Sequence, residues 1–373
     1  MMPSLMVPLG VSAGDDSGLA SVFEHDGPFV TLEMSTPAAK ENAPQELRLR
    51  WKELRRSLET DGAPMEALEA IERIIPTAHT QGHSLAAVAD SSGLLLKRHG
   101  PELLASDAGW VAPLPRLGRM ISWRQEQVPY IVVFVDHLGA DIQYVGPGED
   151  WQVSVGMADS HDPLAHRSGP GGWSQPRYQR RAENLWRTNA NEAAGAVARI
   201  AEANRARFIA LAGSSQSKSF FVQSLPEEKR SLVKELGGAR HPDGGEAKVA
   251  WNLQRLVASE VAAETASVLH HLRSETERCT KGLGGTIAAL QQAKADTVVL
   301  HYDPDDRRKL WFGPGPEQLS LNRSSLVETG MENPRQAALV DVVVRSAWGT
   351  GATIRLVPRS TALADGIGAL LRY

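Results

Sequence analysis

The densest gathering of side chains able to do chemistry lies between Leu164 and Thr188, LAHRSGPGGWSQPRYQRRAENLWRT. Five arginines, Arg167, Arg177, Arg180, Arg181 and Arg187, stand against one acid, Glu183, so the stretch carries +4 in a chain of net charge −4. Trp173, Tyr178 and Trp186 sit among them. Guanidinium forks grip phosphate and aromatic planes stack on unpaired bases, so this interleaving suits RNA recognition. Gly169, Gly171 and Gly172, with Pro170, make the lead-in an exposed loop whose backbone can come close to a partner. A surface loop with incidental arginines is the competing reading. Charge contrast and aromatics occurring together favour RNA contact.

Other clusters carry weaker signals. Gly282-Leu-Gly284-Gly285 has no following Lys-Ser/Thr and no strand leading into it, so it reads as a helix start rather than a phosphate loop. His270 and His271 point about 100° apart on a helix and cannot share one metal in the i, i+4 manner. His161, Asp162 and His166 read as a polar lead-in to the arginine loop before a metal site. Asp303, Asp305 and Asp306 lack the glycine and terminal glutamate of a calcium loop and mark a turn through Pro304. Ser214–Ser219 suits an RNA contact or a plain connection equally. No Gly-x-Ser-x-Gly elbow supports a serine hydrolase. No cofactor and no metal site is expected.

The elements that must position the arginine stretch follow from composition and period. At 373 residues the chain exceeds one ordinary core, and 42% hydrophobic with 23% charged residues describes a globular protein. No apolar run approaches the ~18 residues of a membrane span. The single cysteine, Cys279, excludes an internal disulfide and cysteine zinc fingers. The N-terminus lacks a secretory pattern, so a cytoplasmic location is expected. Residues 1–27 hold no Lys or Arg and read as a loose acidic leader, with folded structure starting near Pro28. Strands are predicted at 29–34, 85–88, 94–96, 130–135, 140–145, 208–211, 297–300 and 353–357. Helices are predicted from Leu47 through Leu58, over 180–204, over 246–278 (about 50 Å long), over 286–293 and over 335–346. On the first helix Arg48, Arg50, Lys52, Arg55 and Arg56 read as a solvated face. The expected fold is mixed α/β: three consecutive α/β domains at 28–126, 127–278 and 279–373.

The loop resembles that of the archaeo-eukaryotic release factor and Pelota superfamily, including its bacterial branch. The family's middle-domain loop has the form G-G-Q-S-A-x-R-F-x-R, and here stands Gly171-Gly172-Trp173-Ser174-Gln175-Pro176-Arg177-Tyr178-Gln179-Arg180. Gly285-Thr286, Ala289-Leu290 and Asp296-Thr297-Val298-Val299 look like the start of the family's C-terminal domain, and Gly366 to Tyr373 like its end. The resemblance implies a tRNA-shaped protein in the ribosomal A site touching the rRNA of both subunits. Its N-terminal domain would lie at the decoding centre, its middle loop near the peptidyl transferase centre, and its C-terminal domain towards a translational GTPase. Trp173 stands where the family's ester-positioning glutamine belongs, and an indole has one donor and no acceptor with which to orient water.

The expectation is therefore a non-enzymatic, translation-inhibiting factor, similar to the Balon-type hibernation factors of the bacterial branch, which engage elongation factor Tu. Off the ribosome it would be a monomer without membrane association. Its RNA-binding residues would be Arg167, Gly171, Gly172, Trp173, Ser174, Gln175, Arg177, Tyr178, Arg180 and Arg181. The alternative is a peptidyl-tRNA hydrolase or ribosome rescue factor using Gln175.

Overall fold

Folded structure begins earlier than Pro28. In the computed structural model, which describes residues 17–36, 42–80, 82–136, 139–146, 149–156, 175–236, 245–274 and 278–373, the short helix Ser17–Ala20 (α1) and the turn after it bury Leu19 and Val22. Two apolar side chains are enough to dock what charge alone makes a leader. Phe29–Ser35 (β1) then alternates. Val30, Leu32 and Met34 meet Leu47, Trp51 and Leu58 of Ala43–Thr60 (α2), with Leu68 and Ile71 of Met65–Ile74 (α3). Phe29, Thr31 and Glu33 are buried on the opposite face. Ser84–Asp90 (β2), Gly93–Gly100 (β3) and Ala108–Ala112 (β4) complete an antiparallel sheet of order β3-β2-β1-β4. Gly118–Glu126 (α4) closes this part of the chain.

Next come Tyr130–Val135 (β5), rich in β-branched residues, Gly139–Gly146 (β6) and Glu149–Gly156 (β7), an antiparallel run. The helix Gln175–Ala203 (α5) leads to Phe208–Gly213 (β8), which pairs parallel to β5 in full register from Tyr130↔Phe208 to Val135↔Gly213. Ser215–Ser224 (α6), Glu227–Arg230 (α7) and the short Val233–Glu235 (β9) finish a sheet of order β7-β6-β5-β8-β9. Gly213 joins β8 to α6 at φ +148, and a Cβ there would stand 2.3 Å from the Val135 carbonyl oxygen, so only glycine fits. The helix Gly245–Ser274 (α8) covers the second face of this sheet with Leu253, Leu256, Val257 and Val261.

The last segment holds Cys279–Lys281 (β10), Leu283–Gln291 (α9), Ala295–His301 (β11), Lys309–Phe312 (β12), Leu319–Ser320 (β13), Arg323–Glu328 (α10), Arg335–Ala338 (β14), Leu339–Gly349 (α11), Thr353–Val357 (β15) and Ile367–Leu371 (β16). Its sheets run β10-β16-β11-β15 and β13-β12-β14. Residues 335–346 are therefore not one helix. Arg335–Ala338 extend along β12, which offers a free ladder edge, and the helix starts at Leu339.

By its contacts the chain forms two compact units, Met1–Gln125 with Ala263–Tyr373, and Glu126–Ala262. In the first, Phe29, Ala86, Val88, Leu117 and Ile121 share one core with Leu290, Val298, Leu310, Val343 and Ile354, so the chain's two outer segments pack as one body while keeping separate sheets. The side chain of Gln125 clasps the backbone of Leu356 from both sides, donating to its carbonyl at 2.8 Å and accepting from its N–H at 3.0 Å.

Candidate nucleic-acid interface

The arginine stretch leads into α5, whose described residues begin at Gln175. Pro176 sits in its first turn, where a missing N–H costs nothing and the ring's φ already suits a helix. Helical backbone is thus already present at Gln175, five residues before the predicted start. Arg167, Gly171, Gly172, Trp173 and Ser174 lie outside the described residues. Gln175, Arg177, Tyr178, Arg180 and Arg181 all lie on the first two turns of α5.

Helical spacing sorts these five positions. At 100° per residue Arg177, Arg180 and Arg181 fall within an arc of about 100°, while Gln175 lies about 160° round the axis from Arg177. The helix is held at its other end. Asn189, Ala193, Ala194, Val197 and Ala201 are buried, and the four apolar ones pack on Ile131, Val133 and Ile142 of the sheet and on Phe221 of α6. Alanines at this contact let helix and sheet approach closely. Along the axis Arg177 lies ~18 Å and Arg181 ~12 Å from Asn189.

Arg187, further along, is exposed, with its guanidinium 5.9 Å from the centre of the Phe220 ring on α6. The Ser214–Ser219 segment caps α6. Ser214 Oγ accepts from the Ser217 N–H at 3.1 Å, and the Lys218 ammonium pairs with Glu235. A hollow at the carboxyl ends of β5 and β8 is lined by Val135, Ala190, Ala193, Phe220 and Phe221 with Asp136 and Ser217, a mainly apolar set without a nucleophile–base pair.

A second concentration of charge, invisible in the linear sequence, lies inside the first unit where its two segments meet. Arg119 Nε donates to Glu33 Oε2 at 3.2 Å, and the Tyr302 hydroxyl donates to Glu33 Oε1 at 3.3 Å. Arg116 lies 4.1 Å from the centre of the Trp110 ring, donates through Nη2 to the Pro304 carbonyl at 3.2 Å, and holds Nε 3.8 Å from Asp341 Oδ2. Asp341 is fully buried in the first turn of α11, and its Oδ2 has no hydrogen-bond partner. Burial pushes its pKa up to about 8, more than Arg116 at that distance pulls it down, and Glu33 adds to the rise. A contact of 3.8 Å without a hydrogen bond is a weak ion pair, so burial outweighs it and the Asp341 carboxyl stays above the usual carboxylate range. Burial, then the Glu33 carboxylate, likewise raises the Tyr302 hydroxyl, against the pull of Arg119 and Arg116. Gly118 makes the approach of Tyr302 feasible, since a Cβ there would meet its ring at 2.3 Å.

This seam is structural in character. Every group in it except the Asp341 oxygen is tied to another, and the small cavity it encloses has no nucleophile–base arrangement. The aspartates at 303, 305 and 306 form the expected turn. The Asp305 N–H bonds Asp303 Oδ1 at 3.0 Å, while Asp306 and Asp303 carry Arg308 and Arg359. Among the described residues no cluster suits a metal ion, and no helix is long and apolar enough to cross a membrane.

Residues 129–278 match the model of bacterial archaeo-eukaryotic release factor family 2. The Mycobacterium tuberculosis protein Rv2629 is 23% identical over 365 residues, covering 93% of this chain and 94% of its own. Among solved structures, archaeal Pelota in a model of ribosome-bound Pelota and ABCE1 is 12% identical, with 98% of this chain and 96% of that chain covered and a TM-score of 0.37. Archaeoglobus fulgidus Pelota is 13% identical over 78% of this chain and 79% of that one, at TM-score 0.33. The archaeal translation termination factor aRF1 is 14% identical over 95% and 96%, at TM-score 0.23.

Proposed function

We propose a function for a chain whose middle segment belongs to the bacterial branch of the archaeo-eukaryotic release factor family: it is a ribosome-associated factor that occupies the A site in place of tRNA and leaves peptidyl-tRNA intact. The observation that carries this reading is Trp173 in the slot of the family's glutamine, beside a retained Arg177-Tyr178-x-Arg180. The arginine positions share one arc of α5, as a helix laid against an RNA backbone requires. Occupancy then blocks tRNA, and the outcome is inhibited translation, with a translational GTPase such as elongation factor Tu meeting the last segment.

Hydrolysis through Gln175 has less support. Gln175 is fixed in helical backbone on the side of α5 away from the arginine positions, whereas orienting a water against an ester tolerates errors well under an ångström. Co-sedimentation with ribosomes at low and moderate salt tests the reading. The chain should pellet with them and release no nascent peptide from a programmed complex. Absence from the ribosomal fraction with elongation factor Tu present overturns association, and peptide release that disappears in Gln175→Ala overturns the non-enzymatic part.

A further inference from the structure

Helix α2 carries five cations, and the fold divides them. Arg50 donates through Nε to Asp107 Oδ2 at 2.6 Å and through Nη2 to Asp107 Oδ1 at 2.5 Å and the Ser35 carbonyl at 2.9 Å. Arg55 donates through Nε to Glu59 Oε1 at 2.8 Å and also binds Glu72. These two tie α2 to its surroundings. Arg48, Lys52 and Arg56 are exposed, and among the described residues none of their head groups meets an acceptor. They follow one another at four-residue steps, so they form a single stripe about 6 Å per step along the axis. Glu59 lies under the same stripe, but its carboxylate is already held by Arg55, and Glu53 flanks it. Leu49 beside them is 60% exposed.

We propose that this stripe is a docking row for the backbone of an RNA strand, separate from the glycine loop of the other unit. Three cations spread over ~12 Å cannot converge on one phosphate or carboxylate, whereas a polyanion with evenly repeated charges meets each in turn. No aromatic ring lies on the stripe and its one amide is Gln45, a turn before Arg48, so the contact is chiefly with backbone and largely independent of sequence. A membrane surface fits poorly, because Leu49 alone does not make the broad apolar face with which an interfacial helix inserts. The inference stands on α2 and does not require ribosome association.

The test uses the full chain and a labelled single-stranded oligouridylate, with affinity measured against salt. Neutralising the row in Arg48→Gln/Lys52→Gln/Arg56→Gln should make the slope of log K against log salt shallower by about 2, three contacts at ~0.7 each. The charge-keeping variant Arg48→Lys/Arg56→Lys should keep the wild-type slope. An unchanged slope in the triple variant, no oligouridylate binding by the wild type, or equal competition by polyglutamate of matched charge each overturns the proposal. Arg177→Gln/Arg180→Gln, scored by ribosome pelleting, separates the two ideas. Loss of pelleting there with an unchanged slope in the triple variant removes only the row, and a shallower slope in a chain that never pellets removes only the ribosomal reading.

Discussion

Arg116 and Arg119, at the seam of the first unit, and Arg48, Lys52 and Arg56, on the outer face of α2, carry the same kind of charge in opposite surroundings. The seam arginines have side chains 18% and 19% exposed and face Asp341, Glu33 and the rings of Trp110 and Tyr302. The α2 stripe faces solvent. In the first place Arg116 receives the Pro304 carbonyl and Asp341 from the last segment, and Arg119 receives Glu33 from β1 beside the Tyr302 ring, so each cation is bound into the fold. In the second nothing is delivered, and the cation remains available to a partner. A cation's role is thus set by what distant chain brings to it, and its own residue type decides little.

The contrast is sharpest at its buried extreme. Arg355 on β15 is 1% exposed, with Nη1 3.3 Å from Glu264 and Nη2 2.5 Å from Thr265 Oγ1, both on α8. Arg355→Ala should lower unfolding free energy by ~3–5 kcal/mol in urea titration, since it strands a largely buried Glu264 and opens a hole. A loss below ~1 kcal/mol would mean that water already reaches this pair.

Asp341 tests the seam through pH. With its folded pKa at about 8 against 3.8 when unfolded, the folded chain keeps a proton that the unfolded chain releases between those values. Stability should therefore fall as pH rises from about 4 to about 8, and level off above. Asp341→Asn removes this slope and should be the more stable protein at pH 8, by on the order of a few kcal/mol, with little difference near pH 4. Thermal melts across that window decide it. A variant weaker than wild type at pH 8 would show that Asp341 is ionised and that Arg116 outweighs its burial.

The same seam explains which parts of the fold are legible in the sequence. Val30, Leu32 and Met34 lie on one face of the predicted strand, and that face meets α2 and α3. Thr31 and Glu33 alternate with them and are buried on the other face, where Thr31 Oγ1 accepts from the Arg116 N–H at 3.2 Å and a segment some 270 residues later brings Tyr302 to Glu33. No local period encodes that. The break of 335–346 into β14 and α11 is hidden for a like reason, since β12 must be present before Arg335–Ala338 prefer extension. The start of α5, by contrast, is signalled locally by Pro176, although the periodic residues beyond it are the louder cue. The candidate loop is legible from composition, and the arrangement of its arginine positions on one arc of α5 follows only once the helix start is known.

On α2 itself the division of cations gives two smaller effects of different size. Arg50→Gln removes both bonds to Asp107, whose side chain is 14% exposed, and should cost ~1–3 kcal/mol while leaving oligouridylate affinity nearly as it was. The triple neutralisation of Arg48, Lys52 and Arg56 should leave stability within ~0.5 kcal/mol, because exposed side chains without partners contribute little to folding. Any change should be towards greater stability, as mutual repulsion along the stripe is relieved. Denaturation and RNA titration on the same two variants should thus give opposite rankings, Arg50 first in stability and the stripe first in binding. Equal rankings would mean that the stripe is part of the folding machinery after all, held by contacts as firm as those of the seam.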